Sequence, residues 1–81
     1  MIYPIQIRAA RSLLGMGQEE LAELAAISVV TVKRIEAAGS EIKGSAQTYA
    51  RMKLALEKAG IIFINQNDDE GPGVRLKKPV G

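Results

Sequence analysis

The chain has 81 residues, with eleven Lys and Arg against nine Asp and Glu, and it contains neither cysteine nor histidine. Without cysteine there is no disulfide or thiolate metal site, and without histidine the commonest general base and metal ligand is missing. The length fits one small domain, and the net charge of +2 is only a weak indication of an acidic partner, so attraction to nucleic acid depends on where the charges lie.

The first third of the chain predicts two helices. Pro4 suits a first helical turn and Gly15 a left-handed C-cap, which gives a helix over about residues 4–14. Its inward positions at helical spacing are Ile7, Ala10, Leu13 and Leu14. A second helix of two turns, about 18–25, follows Gly17 as N-cap. Its apolar stripe is Leu21, Leu24 and Ala25.

Serine N-caps predict two further helices. Ser28 begins a third helix at about Ser28 to Ala38, which Gly39 stops. Its inward residues are Val32, Ile35 and Ala38. Ser45 caps a fourth helix over about 46–59. Its inward residues are Tyr49, Met52, Leu56 and Ala59.

The remaining residues predict a β-hairpin. Residues 61–64 are an unbroken apolar and mostly β-branched run, which favours a strand. Residues 65–73 are polar and rich in turn residues, and residues 74–76 alternate as a second strand before a frayed tail. We therefore predict a helical domain over 1–60, followed by a hairpin and tail over 61–81.

The second and third helices are short, and a tight turn at Ala26-Ile27 joins them. A two-turn helix is marginal alone, so this pair is hard to explain as ordinary packing. The outer face of the third helix carries Val29, Val30, Lys33 and Arg34. A helix presented outward in this way fits the major groove of B-DNA, where such side chains reach base edges.

The segment from Gln18 to Glu36, QEELAELAAISVVTVKRIE, resembles the helix-turn-helix of the Xre/Cro/C1 family. That pattern opens its second helix with Gln, continues with Leu-Ala and Ala-Gly-Val-Ser, and closes with Thr-Ile and Ile-Glu. The similarity is nearly continuous over residues 11–39. It implies a mainly α fold: a four-helix, lambda-repressor-like DNA-binding domain followed by a short C-terminal β-hairpin, with double-stranded DNA as partner and no cofactor.

The resemblance also implies roles for individual residues. Base contacts fall to Val29, Val30, Lys33 and Arg34, and phosphate contacts to Gln18, Ser28, Thr31 and Lys43. Arg11 and Glu36 match a pair that forms an internal salt bridge. Gly17 stands where the family has Ser or Thr, and Ala26 where it has Gly. If the turn requires a positive φ, Ala26 is strained by about 1 kcal/mol.

The charged residues also have simpler structural explanations. Lys33 and Arg34 alone would suit a solvated helix face. The acidic residues at 19, 20 and 23 suit the helix dipole, and with no histidine we expect no metal site. The acidic run 68–70 lacks the spacing of a calcium loop and predicts a polar turn. No nucleophile–base constellation exists, so we do not expect an enzyme.

Two functions from different classes remain. The first is a cytoplasmic transcriptional regulator, a repressor, that reads DNA as a homodimer. The second is an antitoxin or protein-interaction module whose carboxy-terminal strand docks a protein partner. The run Ile61, Ile62, Phe63 and Ile64 is apolar on both faces, so we expect these residues to contribute to dimerisation. No apolar run reaches transmembrane length, and no membrane partner is predicted.

Overall fold

A computed structural model describes residues 1–81 and contains four helices followed by an antiparallel β-hairpin. The helices are α1 (Pro4–Leu14), α2 (Gln18–Ala25), α3 (Val29–Ala37) and α4 (Ala46–Lys58), and the strands are β1 (Ile61–Ile64) and β2 (Gly73–Leu76). Each predicted element is present. No helix has the length and apolar character needed to span a bilayer.

Small corrections apply at the element ends, where capping residues had been counted as helix. The third helix begins at Val29 because Ser28 is its N-cap, with the Ser28 hydroxyl accepting the Thr31 backbone N–H at 3.1 Å. Ala38 is its C-cap. Ala59 likewise caps α4. The second strand begins at Gly73, one residue earlier than predicted, because Gly73 pairs with Ile64 in the hairpin.

The core lies between the helices and one face of the hairpin. Its largest fully buried side chains are Pro4, Ile7, Leu21, Val32, Ile35, Met52 and Leu56. Three residues predicted to face inward are instead exposed: Leu13, Leu24 and Ala59. On α2, the small Ala22 is buried and Leu24 is exposed. The reason is that α2 packs against both α3 and α4, and a small side chain lets two helices approach one surface.

Gln6 is a buried polar residue that joins the start of α1 to the hairpin. Its Oε1 accepts the Tyr3 backbone N–H at 2.8 Å, which satisfies a free donor at the helix N-terminus. Its Nε2 donates to the carbonyl oxygens of Ile64 at 3.2 Å and Gly73 at 3.0 Å. One side chain therefore caps a helix and holds the loop end of the hairpin.

The hairpin presents two different faces. The register pairs Ile61 with Leu76, Phe63 with Val74, Ile62 with Arg75 and Ile64 with Gly73. The face with Ile61, Phe63, Val74 and Leu76 packs on the helical core. Because strand side chains alternate, the face with Ile62 and Ile64 points away from that core. The hairpin is thus part of the same folded unit as the helices, since β1 packs on α4 and β2 on α1.

Candidate nucleic-acid interface

The turn between α2 and α3 is closed by a residue in the left-handed conformation. Ala26 has φ 57° and ψ 46°, and it is the only non-glycine residue with positive φ. The Ile27 N–H donates to the Ala22 carbonyl at 2.9 Å, and Arg51 from α4 donates to the Ala26 carbonyl at 3.2 Å. The turn therefore does require a positive φ, and the strain predicted for Ala26 applies, at about 1 kcal/mol.

The outward face of α3 consists of Val30, Lys33, Arg34 and Ala37, all exposed. Val30 is 58% exposed, about as much as Leu24 and Leu54 on other helices. Neither Lys33 nor Arg34 is paired with a carboxylate, since the structure contains a single salt bridge elsewhere. Val29, also predicted to contact bases, is half-buried and packs against the core. Val30, Lys33 and Arg34 therefore form the exposed part of the predicted base-contacting set, and Val29 lies at its buried edge.

The predicted Arg11–Glu36 ion pair is present and links α1 to α3. Arg11 Nε and Nη2 donate to the two Glu36 carboxylate oxygens at 2.6 and 2.7 Å, a bidentate arrangement. The Arg11 Nη1 atom also donates to the Met16 carbonyl at 2.8 Å. The Arg11 and Glu36 side chains are 16% and 4% exposed. The pair thus holds one side of α3 against α1, next to the exposed face.

The pKa of Arg11 is shifted by this arrangement. The hydrogen bond to Glu36 raises the pKa of Arg11 above its ordinary value; partial burial lowers it, and the charge of Glu36 raises it further. A basic group whose pKa is higher in the folded state than in the unfolded state contributes to folding stability, and this contribution is complete at pH values below the unfolded-state pKa. The contribution is lost only as the pH rises through the folded-state pKa. Arg11 therefore remains charged throughout the neutral range.

A polar cleft of about 350 Å³ lies between α1, the start of α2 and α3. It is lined by Arg8, Arg11, Gln18, Lys33, Glu36 and Ala37. Gln18, which is predicted to contact a phosphate, donates one amide N–H to Glu36 at 3.2 Å. The buried ion pair therefore orients the Gln18 side chain. The exposed Arg8 was not predicted as a site residue. Its spacing of three residues from Arg11, which places both on neighbouring turns of α1, was the available signal.

The other predicted phosphate-contacting residues lie in different places. The Ser28 and Thr31 hydroxyls are 2.8 Å apart and form the N-cap of α3 together. Lys43 lies in the loop between α3 and α4, with its side chain exposed and its backbone N–H donating to the Tyr49 hydroxyl at 3.1 Å. Gln18, Ser28 and Thr31 are therefore at helix starts, whereas Lys43 belongs to the following loop.

The four residues predicted for dimerisation are divided between the two hairpin faces. Ile61 is 2% exposed and belongs to the core of its own chain, so it offers no surface to a partner. Phe63 is half-buried against the same core. Ile62 is half-buried and Ile64 is 39% exposed on the opposite face. Only that outer face, together with the unpaired strand edges, is available for association.

No cluster of three or more acidic side chains has the geometry to hold a metal ion. Comparison with known protein families and with curated proteins found no match for this chain. The residues around α3 are therefore the basis on which a function is inferred.

Proposed function

We propose that this protein is a sequence-specific DNA-binding transcriptional regulator, a repressor of the Xre/Cro/C1 type, with α3 as its reading helix. The observation that carries the proposal is the exposed α3 face. Val30 and Arg34 project from a short helix that a buried ion pair joins to α1 along one side. An exposed valine beside an arginine suits a thymine methyl next to a guanine edge. This function implies a cytoplasmic protein.

The polar cleft refines the roles of the two basic residues of α3. Lys33 lines this cleft together with Arg8 and Gln18, whereas Arg34 does not. Two unpaired cations and an amide at the start of a helix suit a backbone phosphate, which is attracted by charge and by helix N–H groups. We therefore assign phosphate contact to Lys33 and Arg8, and base contact to Arg34.

Selection of bound sites from random DNA with the pure protein tests the proposal. We expect a defined consensus sequence. Arg34→Ala should lose about 1–3 kcal/mol of binding to it, about 5- to 150-fold in affinity, and relax specificity at one position. Lys33→Ala and Arg8→Ala should instead weaken binding to all sequences alike and reduce the salt dependence by about one counterion each.

Lys58→Ala is the matched control, since it removes an exposed positive charge at the end of α4 and not beside α3. Its loss of affinity should be small and independent of sequence. The recognition-helix assignment fails if Arg34→Ala and Lys33→Ala bind every DNA as well as Lys58→Ala does. It also fails if selection yields no consensus.

We further propose that the regulator acts as a homodimer. One short reading helix contacts few base pairs, and a two-fold dimer places two such helices about 34 Å apart, one DNA turn. The outer hairpin face, with Ile62 and Ile64, and the free strand edges provide apolar surface and unpaired backbone groups for association. The same surface supports the second candidate function, an antitoxin or interaction module that docks a different protein.

A further inference from the structure

An apolar pocket lies where three segments of the chain meet, away from the α3 face. Its volume is about 330 Å³, at the lower end of the range for small-molecule sites. Ile2 closes it from the amino-terminal segment, Ile42 from the loop before α4, and Ala46, Tyr49 and Ala50 from α4 itself. We call it the α4 pocket. None of its lining residues belongs to the candidate DNA interface.

The shape of the α4 pocket is set by contacts within the chain. The Tyr49 side chain is buried, and its hydroxyl accepts the Lys43 backbone N–H at 3.1 Å, which ties the loop to the helix. Gly44 has φ 105°, and a Cβ there would contact Ile35 and Tyr49 at 3.5 and 3.7 Å. The loop is thus held close to α4 by contacts within the chain.

Lys53 carries the only charged side chain that lines the α4 pocket, and Met1, the residue with the α-amino group, lines it as well. It is half-buried and takes no part in a salt bridge, although Glu57 lies one turn further along α4. An apolar wall beside an unpaired cationic side chain is complementary to a molecule with an apolar body and one negative group. Small-molecule sites have this composition, with mainly apolar lining and a few polar groups that orient the ligand.

We propose that the α4 pocket binds a small amphipathic carboxylate, with its hydrocarbon part against Tyr49 and Ala50 and its carboxylate at Lys53. The inference concerns a second site and does not depend on DNA binding. The apolar part supplies most of the affinity by leaving water, while the charge pair selects acids over neutral molecules of the same length.

Titration of the full-length, ¹⁵N-labelled protein with sodium octanoate, followed by NMR, tests the proposal. We expect saturable shifts of the amide signals of Ile2, Ile42, Tyr49 and Ala50. The neutral analogue 1-octanol should bind the same site more weakly. Lys53→Gln should weaken octanoate binding about fivefold and leave 1-octanol binding unchanged. Lys58→Gln, a control on the same helix outside the pocket, should change neither.

Ala50→Phe provides a second variant, because Ala50 is exposed and lines the pocket, so a phenyl ring there would fill it from the surface, against Ile2 and Tyr49. It should abolish binding of both octanoate and 1-octanol. The proposal is overturned if the shifts do not saturate, or if they spread equally over the exposed apolar residues Leu24 and Leu54. It is also overturned if Lys53→Gln behaves as Lys58→Gln, or if Ala50→Phe binds octanoate with unchanged affinity.

Discussion

Ala26 holds a backbone conformation that glycine adopts without strain, at φ 57°. Ala26→Gly should therefore stabilise the fold by up to about 1 kcal/mol, because it removes the cost of a left-handed alanine. The gain is reduced by the conformational entropy that glycine adds to the unfolded chain. For a domain of this size, 1 kcal/mol corresponds to a rise of about 4–8 °C in Tm. Thermal unfolding followed by circular dichroism measures this.

Ala9→Gly is the matched control for Ala26→Gly, because Ala9 is exposed and lies within a regular helix, α1. Glycine there should lower stability by about 1 kcal/mol. A loss of stability in Ala26→Gly as large as that in Ala9→Gly would show that the left-handed conformation carries no strain.

The Arg11–Glu36 pair gives a second prediction at the scale of single residues. Arg11→Met should destabilise the protein by about 3 kcal/mol, because it leaves the Glu36 carboxylate buried with Gln18 as its remaining partner. Arg11→Met combined with Glu36→Leu should recover part of this loss, since no charge is then buried. Urea unfolding of the single and double variants measures both changes.

The exposed Arg8 provides the control for the ion pair, because Arg8→Met removes the same charge from the same helix. Its effect on stability should stay within about 0.5 kcal/mol. Equal effects of Arg8→Met and Arg11→Met would mean that the pair contributes only as surface charge.

At the scale of elements, α1 and the hairpin are joined through Gln6. Gln6→Glu keeps the size of the side chain but replaces the two N–H donors with a carboxylate oxygen that faces the carbonyls of Ile64 and Gly73. We expect a loss of about 3 kcal/mol from the buried unpaired groups. Native-state hydrogen exchange should become faster in residues 61–64 and 73–76 than in α2 and α3.

Gln47→Glu makes the same chemical change at an exposed position in the first turn of α4. It should change stability by no more than about 0.5 kcal/mol and leave hairpin exchange unaltered, since an acid is favourable near a helix N-terminus. Hairpin amides that exchange equally slowly in Gln6→Glu and Gln47→Glu would contradict the proposed link.

At the scale of the whole molecule, self-association can be tested on the outer hairpin face. Ending the chain at Gly60 would remove the outer hairpin face but would also remove Ile61 from the core. A surface substitution therefore separates the effect on self-association from the effect on core packing. Ile64→Lys should shift sedimentation of the full chain towards the monomer at concentrations where the parent is a dimer, because a charge on an apolar interface is costly to bury. Monomer and dimer are resolved by sedimentation velocity.

Val80→Lys places the same charge in the exposed tail beyond β2 and should leave the dimer intact. A parent chain that stays monomeric at high concentration, both free and on DNA, would remove the dimer proposal. The outer hairpin face would then remain as a docking surface for another protein.

The order and type of every element followed from the sequence alone. Ser28 and Ser45 mark helix starts, and Pro4 and Gly15 bound α1, because capping hydrogen bonds and backbone preferences act over three or four residues. The resemblance over residues 11–39 also predicted which residues form the ion pair. Each of these features depends on chemistry between near neighbours in the chain or on a recurring pattern.

Only the tertiary structure decided which side chains are covered. Helical spacing alone placed Leu13 and Leu24 inward, yet both are exposed, while Gln6 is buried by a hairpin almost 60 residues further along the chain. Arg8 lines the cleft for the same reason, and packing decided that the hairpin face with Ile61, not the face with Ile64, is covered. Burial depends on which elements pack beside a helix or strand, and those contacts join residues that no local pattern relates.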